Sequence, residues 1–167
     1  MENVAQRTYR HRVEETVSVA AAAPALFAHL DDHERLASHM MQSSAMMAGS
    51  AMAFTFDEGR GRTLGSRITM RGKVFGLSLE VSELVCERVP PRRKAWQTVG
   101  QPRLLVIGPY RMGFEVADDA TGTRLTVFID YDLPPWPWRL LGLLAGPFYA
   151  RWCVQSTARD AARGFAA

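Results

Sequence analysis

The sequence predicts an α+β protein in which an antiparallel β-sheet is covered by a long C-terminal helix. Between residues 52 and 133, apolar and polar side chains alternate in successive segments joined by short turns, which is typical of an antiparallel meander. Residues 138–165 favour helix, with an interruption expected at Gly146-Pro147. Because one face of the predicted sheet is apolar, the C-terminal helix is the element expected to cover it.

A first strand is predicted before the meander, over residues 9–19. His11 and Glu15 share the inward side of this strand with Val13 and Val17. Polar residues occupy the other side, so this strand also has one face suited to a core.

Two short helices are predicted after the first strand. Pro24 is suited to the first turn of a helix, because its missing N–H would be unpaired there in any case. Asp31 and Glu34 have the spacing of a capping box, which predicts a second helix over residues 32–41. The sheet then follows in strands predicted at 52–59, 66–74, 75–89, 92–100, 104–119 and 123–133.

Length and composition indicate one domain, spanning residues 1–167, with an ordinary globular core. The chain has 47% hydrophobic and 22% charged residues. Cys86 and Cys153 are far apart and fit neither a disulfide framework nor a zinc site, so a reduced, cytoplasmic setting is expected. The first residues carry charges throughout and contain no apolar segment of the secretory type.

Several classes of function are disfavoured by what the sequence lacks. The net charge of +3 comes without aromatic residues interleaved among the arginines, so nucleic acid is not an expected partner. No phosphate-binding glycine loop or serine elbow is present, and His29 and His33 have no third ligand at a zinc-binding spacing. We therefore expect no metal and no cofactor. The sequence specifies no oligomeric state.

The order of elements and several local motifs resemble the START-like helix-grip superfamily, which includes the polyketide cyclase/dehydrase group (SRPBCC). The opening residues 13–40 resemble the family's first strand and helices, and GRGRTLGSRITM at residues 59–70 resembles its glycine-punctuated hairpin. The run from Gly122-Thr123 to Leu133-Pro134 resembles its last strand. The resemblance covers nearly the whole chain and implies a curved sheet wrapped around the C-terminal helix.

The resemblance also implies a cavity between sheet and helix for lipids, sterols, polyketides, quinones or hormones. Five of the eight methionines lie between residues 40 and 52, and methionine suits adaptable apolar sites. The alternative is that the same side chains fill a solid core. The candidate ligand-binding residues are Met40, Met41, Phe54, Phe56, Met70, Leu79, Trp96, Met112, Phe114, Tyr131 and Trp152.

Three functions remain open from the sequence. The leading hypothesis is binding of a hydrophobic small molecule or lipid, as a carrier, sensor or chaperone. An enzyme of the cyclase/dehydratase type would need a titratable group in the cavity. His11, Glu15, His39 and Tyr131 are candidates for that group, and the sequence assigns none of them as a catalytic residue. Lipid or quinone handling at a membrane surface would use residues 133–144, which otherwise fold back and cap the cavity.

Overall fold

A computed structural model describes residues 7–36, 52–74 and 76–166 of the chain. These residues form seven strands, two helices and a helical segment at residues 33–36. The helices are α1 (Ala23–Asp31), between β1 and β2, and α2 (Arg139–Arg163), which follows β7. The strands are β1 (His11–Val19), β2 (Met52–Phe56), β3 (Arg67–Val74), β4 (Leu77–Val89), β5 (Arg93–Arg103), β6 (Tyr110–Asp119) and β7 (Gly122–Tyr131).

All seven strands form one antiparallel sheet in the order β1-β7-β6-β5-β4-β3-β2. Each strand after β1 pairs with the next one along the chain, and β1 returns to pair with β7, from His11 opposite Tyr131 to Val19 opposite Thr123. The sheet is curved and the long helix follows it, which confirms the predicted fold class. The predicted strand over 104–119 begins only at Tyr110, because residues 104–109 form a connection that turns back toward Asp132.

The first short helix forms as predicted, with Pro24 in its first turn and Leu26, Phe27 and Leu30 buried. The expected capping residue for the second helix is displaced by one position. Asp32, not Asp31, accepts the Arg35 N–H at 3.1 Å.

The long helix is continuous, and the interruption expected at Gly146-Pro147 was wrong. Pro147 lies inside α2, and both Pro147 and Leu143 are exposed. Because proline has no N–H, the Leu143 carbonyl lacks its usual helical hydrogen-bond donor. Because this side of the helix faces solvent, water can hydrogen-bond that carbonyl and the helix need not break.

Small residues make up most of the buried side of α2. They are Gly142, Gly146, Ala150, Cys153, Val154, Ala158 and Ala161. The helical spacing of the sequence predicts a buried stripe made of Phe148, Trp152, Gln155, Ala158 or Arg159, Ala162 and Phe165. Ala158 is buried, and Trp152, Ala162 and Phe165 pack against the core, but Phe148 is 75% exposed. Small side chains allow the helix to approach its neighbours closely: a Cβ added to Gly146 would lie 2.9 Å from the Val106 carbonyl oxygen.

The outer face of the sheet carries one fully buried aromatic residue, Phe128 on β7. The guanidinium groups of Arg12, Arg93 and Arg111 cover its ring, the closest lying 4.6 Å from the ring centroid. Gly113 makes room for it, since a Cβ there would lie 2.8 Å from Phe128 Cζ and 2.5 Å from the backbone oxygen of Lys94.

Candidate functional site

A buried carboxyl group lies on the inward face of the sheet. Glu83 occupies the position between Val81 and Val85 on β4, and only 4% of it is exposed. The hydroxyl of Tyr110, on β6, donates a hydrogen bond to its Oε1 atom. The side chain of Trp96, on β5, also acts on this carboxyl group and lowers its pKa. The carboxyl group is thus held by the Tyr110 hydroxyl among largely apolar neighbours.

This environment brings the titration of the carboxyl group close to neutral pH. Burial raises the pKa of Glu83 to about 7, although the hydrogen bonds from Tyr110 and Trp96 act in the opposite direction. Burial and the neighbouring carboxylate raise the pKa of Tyr110 well above its ordinary value, so this hydroxyl stays a donor. Glu83 is therefore the member of the pair that changes charge near neutral pH.

Tyr149 and Cys153, on the long helix, lie near Glu83 and Tyr110. The neighbouring Cys153 and burial raise the pKa of Tyr149, and burial raises the pKa of the Cys153 thiol to about 12. A thiol with so high a pKa is neutral at physiological pH and is a poor nucleophile. We therefore describe Glu83, Trp96, Tyr110, Tyr149 and Cys153 together as the interior polar cluster.

A second buried group of charges joins the end of α1 to the sheet. The ammonium of Lys94, which is fully buried, lies 2.8 Å from Asp31 Oδ1 and donates to the Asp31 carbonyl oxygen at 2.9 Å. Arg88 donates to both carboxylate oxygens of Asp31, at 3.2 and 2.8 Å. Burial alone would raise the pKa of Asp31, but the hydrogen bonds from Arg88 and Lys94 hold it below its usual value.

His33 connects this charged group to the interior polar cluster. Its Nδ1 atom lies 3.0 Å from Lys94 Nζ, and because an ammonium group can only donate, the imidazole proton resides on Nε2. Its ring packs edge-on against Trp96, with centroids 4.5 Å apart. Burial and the charge of Lys94 lower the pKa of His33 to about 3, so the ring is neutral.

Most of the predicted lining residues meet in one core. Met70, Trp96, Met112, Phe114 and Tyr131 are buried there, and Phe54 and Trp152 pack against them. Phe56 and Leu79 are half-buried. Met40 and Met41 lie outside the described residues. An open cavity among these side chains, and their contact with a ligand, stay predictions.

The titratable candidates that the sequence suggests lie outside the interior polar cluster. His11 is half-buried and stacks on Tyr131 with ring centroids 5.1 Å apart, and burial raises the pKa of Tyr131. Glu15 accepts a long hydrogen bond of 3.5 Å from Gln155 on α2. His39 lies outside the described residues. Among the described residues, no group of three His, Cys, Asp or Glu side chains could hold a metal ion.

Glu83 was missed although the sequence contains a signal for it. Leu79, Val81 and Val85 place the odd-numbered positions of β4 inward, and a glutamate at residue 83 interrupts that apolar series. Tyr149 and Cys153 gave no comparable signal, because the buried side of α2 was assigned to larger residues.

Seven antiparallel strands curved around a long C-terminal helix define a helix-grip α+β protein, and the fold is that of the START-like superfamily. TTHA0849 from Thermus thermophilus is similar, with a TM-score of 0.65 and 13% identity, covering 92% of this chain and 95% of that one. Ms6760 from Mycobacterium smegmatis has a TM-score of 0.60 and 13% identity, with coverage of 93% and 91%.

A plant protein, the ginseng major latex-like protein 151 from Panax ginseng, is also similar, with a TM-score of 0.53 and 11% identity. The similarity covers 94% of this chain and 98% of that one. At such low identities the likeness shows the fold alone. No family model matches the sequence, and no curated protein matches it.

Proposed function

We propose that this protein binds a hydrophobic small molecule between the sheet and α2, as a carrier, sensor or chaperone. The observation that carries the proposal is the buried Glu83 carboxyl group, held by the Tyr110 hydroxyl in an interior that is otherwise largely apolar. A binding site for a lipophilic ligand needs apolar walls and a few polar groups that fix its orientation. Perturbed titration of a buried acid also tends to mark functional sites.

The interior polar cluster favours a particular ligand chemistry. Glu83 already accepts a hydrogen bond from Tyr110, and its remaining acceptor capacity suits a donor such as a hydroxyl group. A ligand carboxylate would instead meet a like charge whenever Glu83 is ionised, which is costly in a buried site. We therefore propose an apolar ligand with a hydroxyl or similar donor at one end.

A matched pair of ligands tests this proposal. Displacement of the neutral probe N-phenylnaphthylamine by dodecanol and by dodecanoate is measured for the parent and for Glu83→Gln, at a pH above the pKa of Glu83. The parent should bind dodecanol more tightly than dodecanoate by about tenfold or more. The alcohol can donate a hydrogen bond to ionised Glu83 whereas the carboxylate is repelled by it, and together these effects are worth over about 1.4 kcal/mol. Glu83→Gln should narrow or reverse that preference.

Glu80→Gln is the matched control, because Glu80 lies on the same strand, carries a half-exposed side chain and pairs with Arg71 at 3.2 Å. It should leave the preference unchanged. If neither ligand displaces the probe from the parent, the binding proposal is wrong. If both ligands displace it equally from the parent and from Glu83→Gln, binding stands but Glu83 is not the polar contact.

Catalysis of the cyclase/dehydratase type is the second candidate, and the pKa of Glu83 favours it. A carboxyl group with a pKa of about 7 can both accept and return a proton at neutral pH. In a dehydration, ionised Glu83 would take a proton from the carbon beside a carbonyl and deliver it to the departing hydroxyl, releasing water. The parent should then convert a bound β-hydroxy ketone to the absorbing enone, and Glu83→Gln should not. Binding without turnover would leave the carrier function.

The charged surface supports the expectation that nucleic acid is not a partner. Basic side chains at residues 60–73 and 92–94 form ion pairs within the protein, which reduces the free positive charge available to phosphates. The pairs include Arg60–Glu34, Arg62–Asp32, Arg71–Glu80, Arg92–Asp118 and Arg93–Glu115. A cytoplasmic location is part of the proposal, and the free thiols of Cys86 and Cys153 agree with a reducing compartment.

A further inference from the structure

The first half of α2 and the turn before it expose a continuous series of large apolar side chains. We call this surface the apolar helix face. It consists of Trp136, Leu140, Leu141, Leu143, Leu144 and Phe148, of which Trp136, Leu144 and Phe148 are each 75% exposed. The expectation that residues 133–144 fold back to cap the interior is wrong for these side chains. Among the tryptophans and leucines at residues 136–144, Trp138 alone is half-buried.

The exposure follows from how the helix is attached. In this half of α2, Gly142 and Gly146 lie on the connection between β5 and β6, because a Cβ on them would be 3.1 and 2.9 Å from the Val106 carbonyl oxygen. A Cβ on Gly142 would also lie 2.5 Å from Pro134, in the segment between β7 and α2. Only the glycine side of this half of the helix packs closely against the rest of the protein. The leucines on its other sides are exposed. A helix that is apolar on so many sides is usually covered by a partner or by lipid.

The charge of the same segment favours an anionic surface as the partner. Residues 133–159 include Arg139, Arg151 and Arg159 and contain no Asp or Glu. Arg139 and Arg151 are exposed, and neither forms an ion pair within the part of the chain that is described. A symmetric dimer through this face would bring the arginines of two copies together without any carboxylate, which opposes self-association.

We propose that the apolar helix face docks on an anionic lipid surface, with α2 lying along the headgroups and its leucines and Phe148 entering the acyl boundary. Tryptophan at residue 136 suits the headgroup region, and each arginine near an anionic surface strengthens binding by about fivefold. No helix in the described ranges is long and apolar enough to cross a membrane. The inference goes beyond the proposed ligand site and does not depend on it.

Vesicle flotation tests the inference with variants that should not disturb folding. The parent should float with vesicles of phosphatidylcholine mixed with phosphatidylserine, and more weakly with phosphatidylcholine alone or at raised salt. Leu144→Ser with Phe148→Ser should weaken binding by about tenfold or more, because two apolar contacts with lipid are removed. Arg139→Gln with Arg151→Gln should weaken binding only to the anionic vesicles.

Leu64→Ser with Val89→Ser is the matched control, because both residues are exposed apolar side chains remote in sequence from α2, at 68% and 53% exposure. This variant should float like the parent. Absence of parent binding to the anionic vesicles would overturn the inference, as would equal loss in the control. Sedimentation without lipid tests whether a second copy of the chain covers the apolar helix face instead. A parent dimer that becomes monomeric in the variant Leu144→Ser with Phe148→Ser would show that it does.

Discussion

Replacing Glu83 with glutamine should make the stability of the protein less dependent on pH. The pKa of this carboxyl group is raised by burial from 4.5 to about 7. The folded protein therefore holds the proton more tightly than the unfolded chain does. The stabilisation due to the protonated group is fully present below about pH 4.5 and is lost as the pH rises through about 7.

The size of the effect follows from the same shift. One pKa unit corresponds to about 1.4 kcal/mol, so ionising buried Glu83 lowers the free energy of unfolding by about 3 kcal/mol. Glutamine has nearly the same shape, stays neutral and can still accept from Tyr110. Glu83→Gln should thus be close to the parent in stability at about pH 5 and more stable by up to about 3 kcal/mol at about pH 8.

Denaturant unfolding followed by circular dichroism measures this difference across the pH range. Glu80→Gln controls for the loss of a carboxylate from the outer side of the same strand. Its free energy of unfolding should differ from that of the parent by an amount that varies little with pH. A constant difference between Glu83→Gln and the parent, or a variant that becomes relatively less stable as the pH rises, would refute the assignment of Glu83 as a buried acid.

Three further predictions concern parts of the fold that support the site. Asp31→Ala should lower the free energy of unfolding by about 3–5 kcal/mol, because it leaves the buried Lys94 ammonium without its carboxylate, whereas Lys94→Met should cost less than half as much; urea unfolding at neutral pH compares them, and equal costs would contradict the pairing. Gly113→Ala should cost about 1–3 kcal/mol, because its Cβ would press on Phe128 and on the backbone of β5; a thermal melt unchanged from the parent would show that the contact relaxes. The low pKa of His33 means that stability is lost on acidification below about pH 6.5, so His33→Gln should lose less than the parent between about pH 6.5 and pH 5, and parallel acid profiles would exclude His33 as a cause.

The sheet could be predicted from the sequence because apolar and polar side chains alternate along most of its strands. Val13, Met112 and Ile129 lie in one row across the sheet, as the parity of their strands requires. Residues 104–109 are apolar enough to suggest a strand, but Gly108 approaches the carbonyl of Leu133 too closely for a side chain and the segment turns instead.

The buried side of the first half of α2 could not be predicted, because hydrophobicity points to the wrong residues there. Phe148 is the larger apolar side chain, yet the helix buries Gly146 and Ala150, whose small size permits close packing. A pattern based on large apolar residues selects the outward side in this half, whereas Trp152 and Phe165 further along the helix do pack against the core. The same error concealed the position of Cys153 beside the interior polar cluster.

The charged group around Asp31 was hidden for a different reason. Asp31 has the spacing of a helix cap with Glu34, but it is used by Arg88 and Lys94, which lie 57 and 63 residues further along the chain. Contacts between residues so distant in sequence depend on the register of the strands. Local spacing carries no information about them.

Native mass spectrometry of the protein purified from its own host shows whether the interior holds a ligand. We expect an added mass that solvent extraction releases as an apolar molecule with a hydroxyl or similar hydrogen-bond donor, and a lower occupancy of that mass in Glu83→Leu than in Glu80→Gln. A parent protein without any added mass that also fails to take up dodecanol or N-phenylnaphthylamine would contradict the claim that its interior is a binding site.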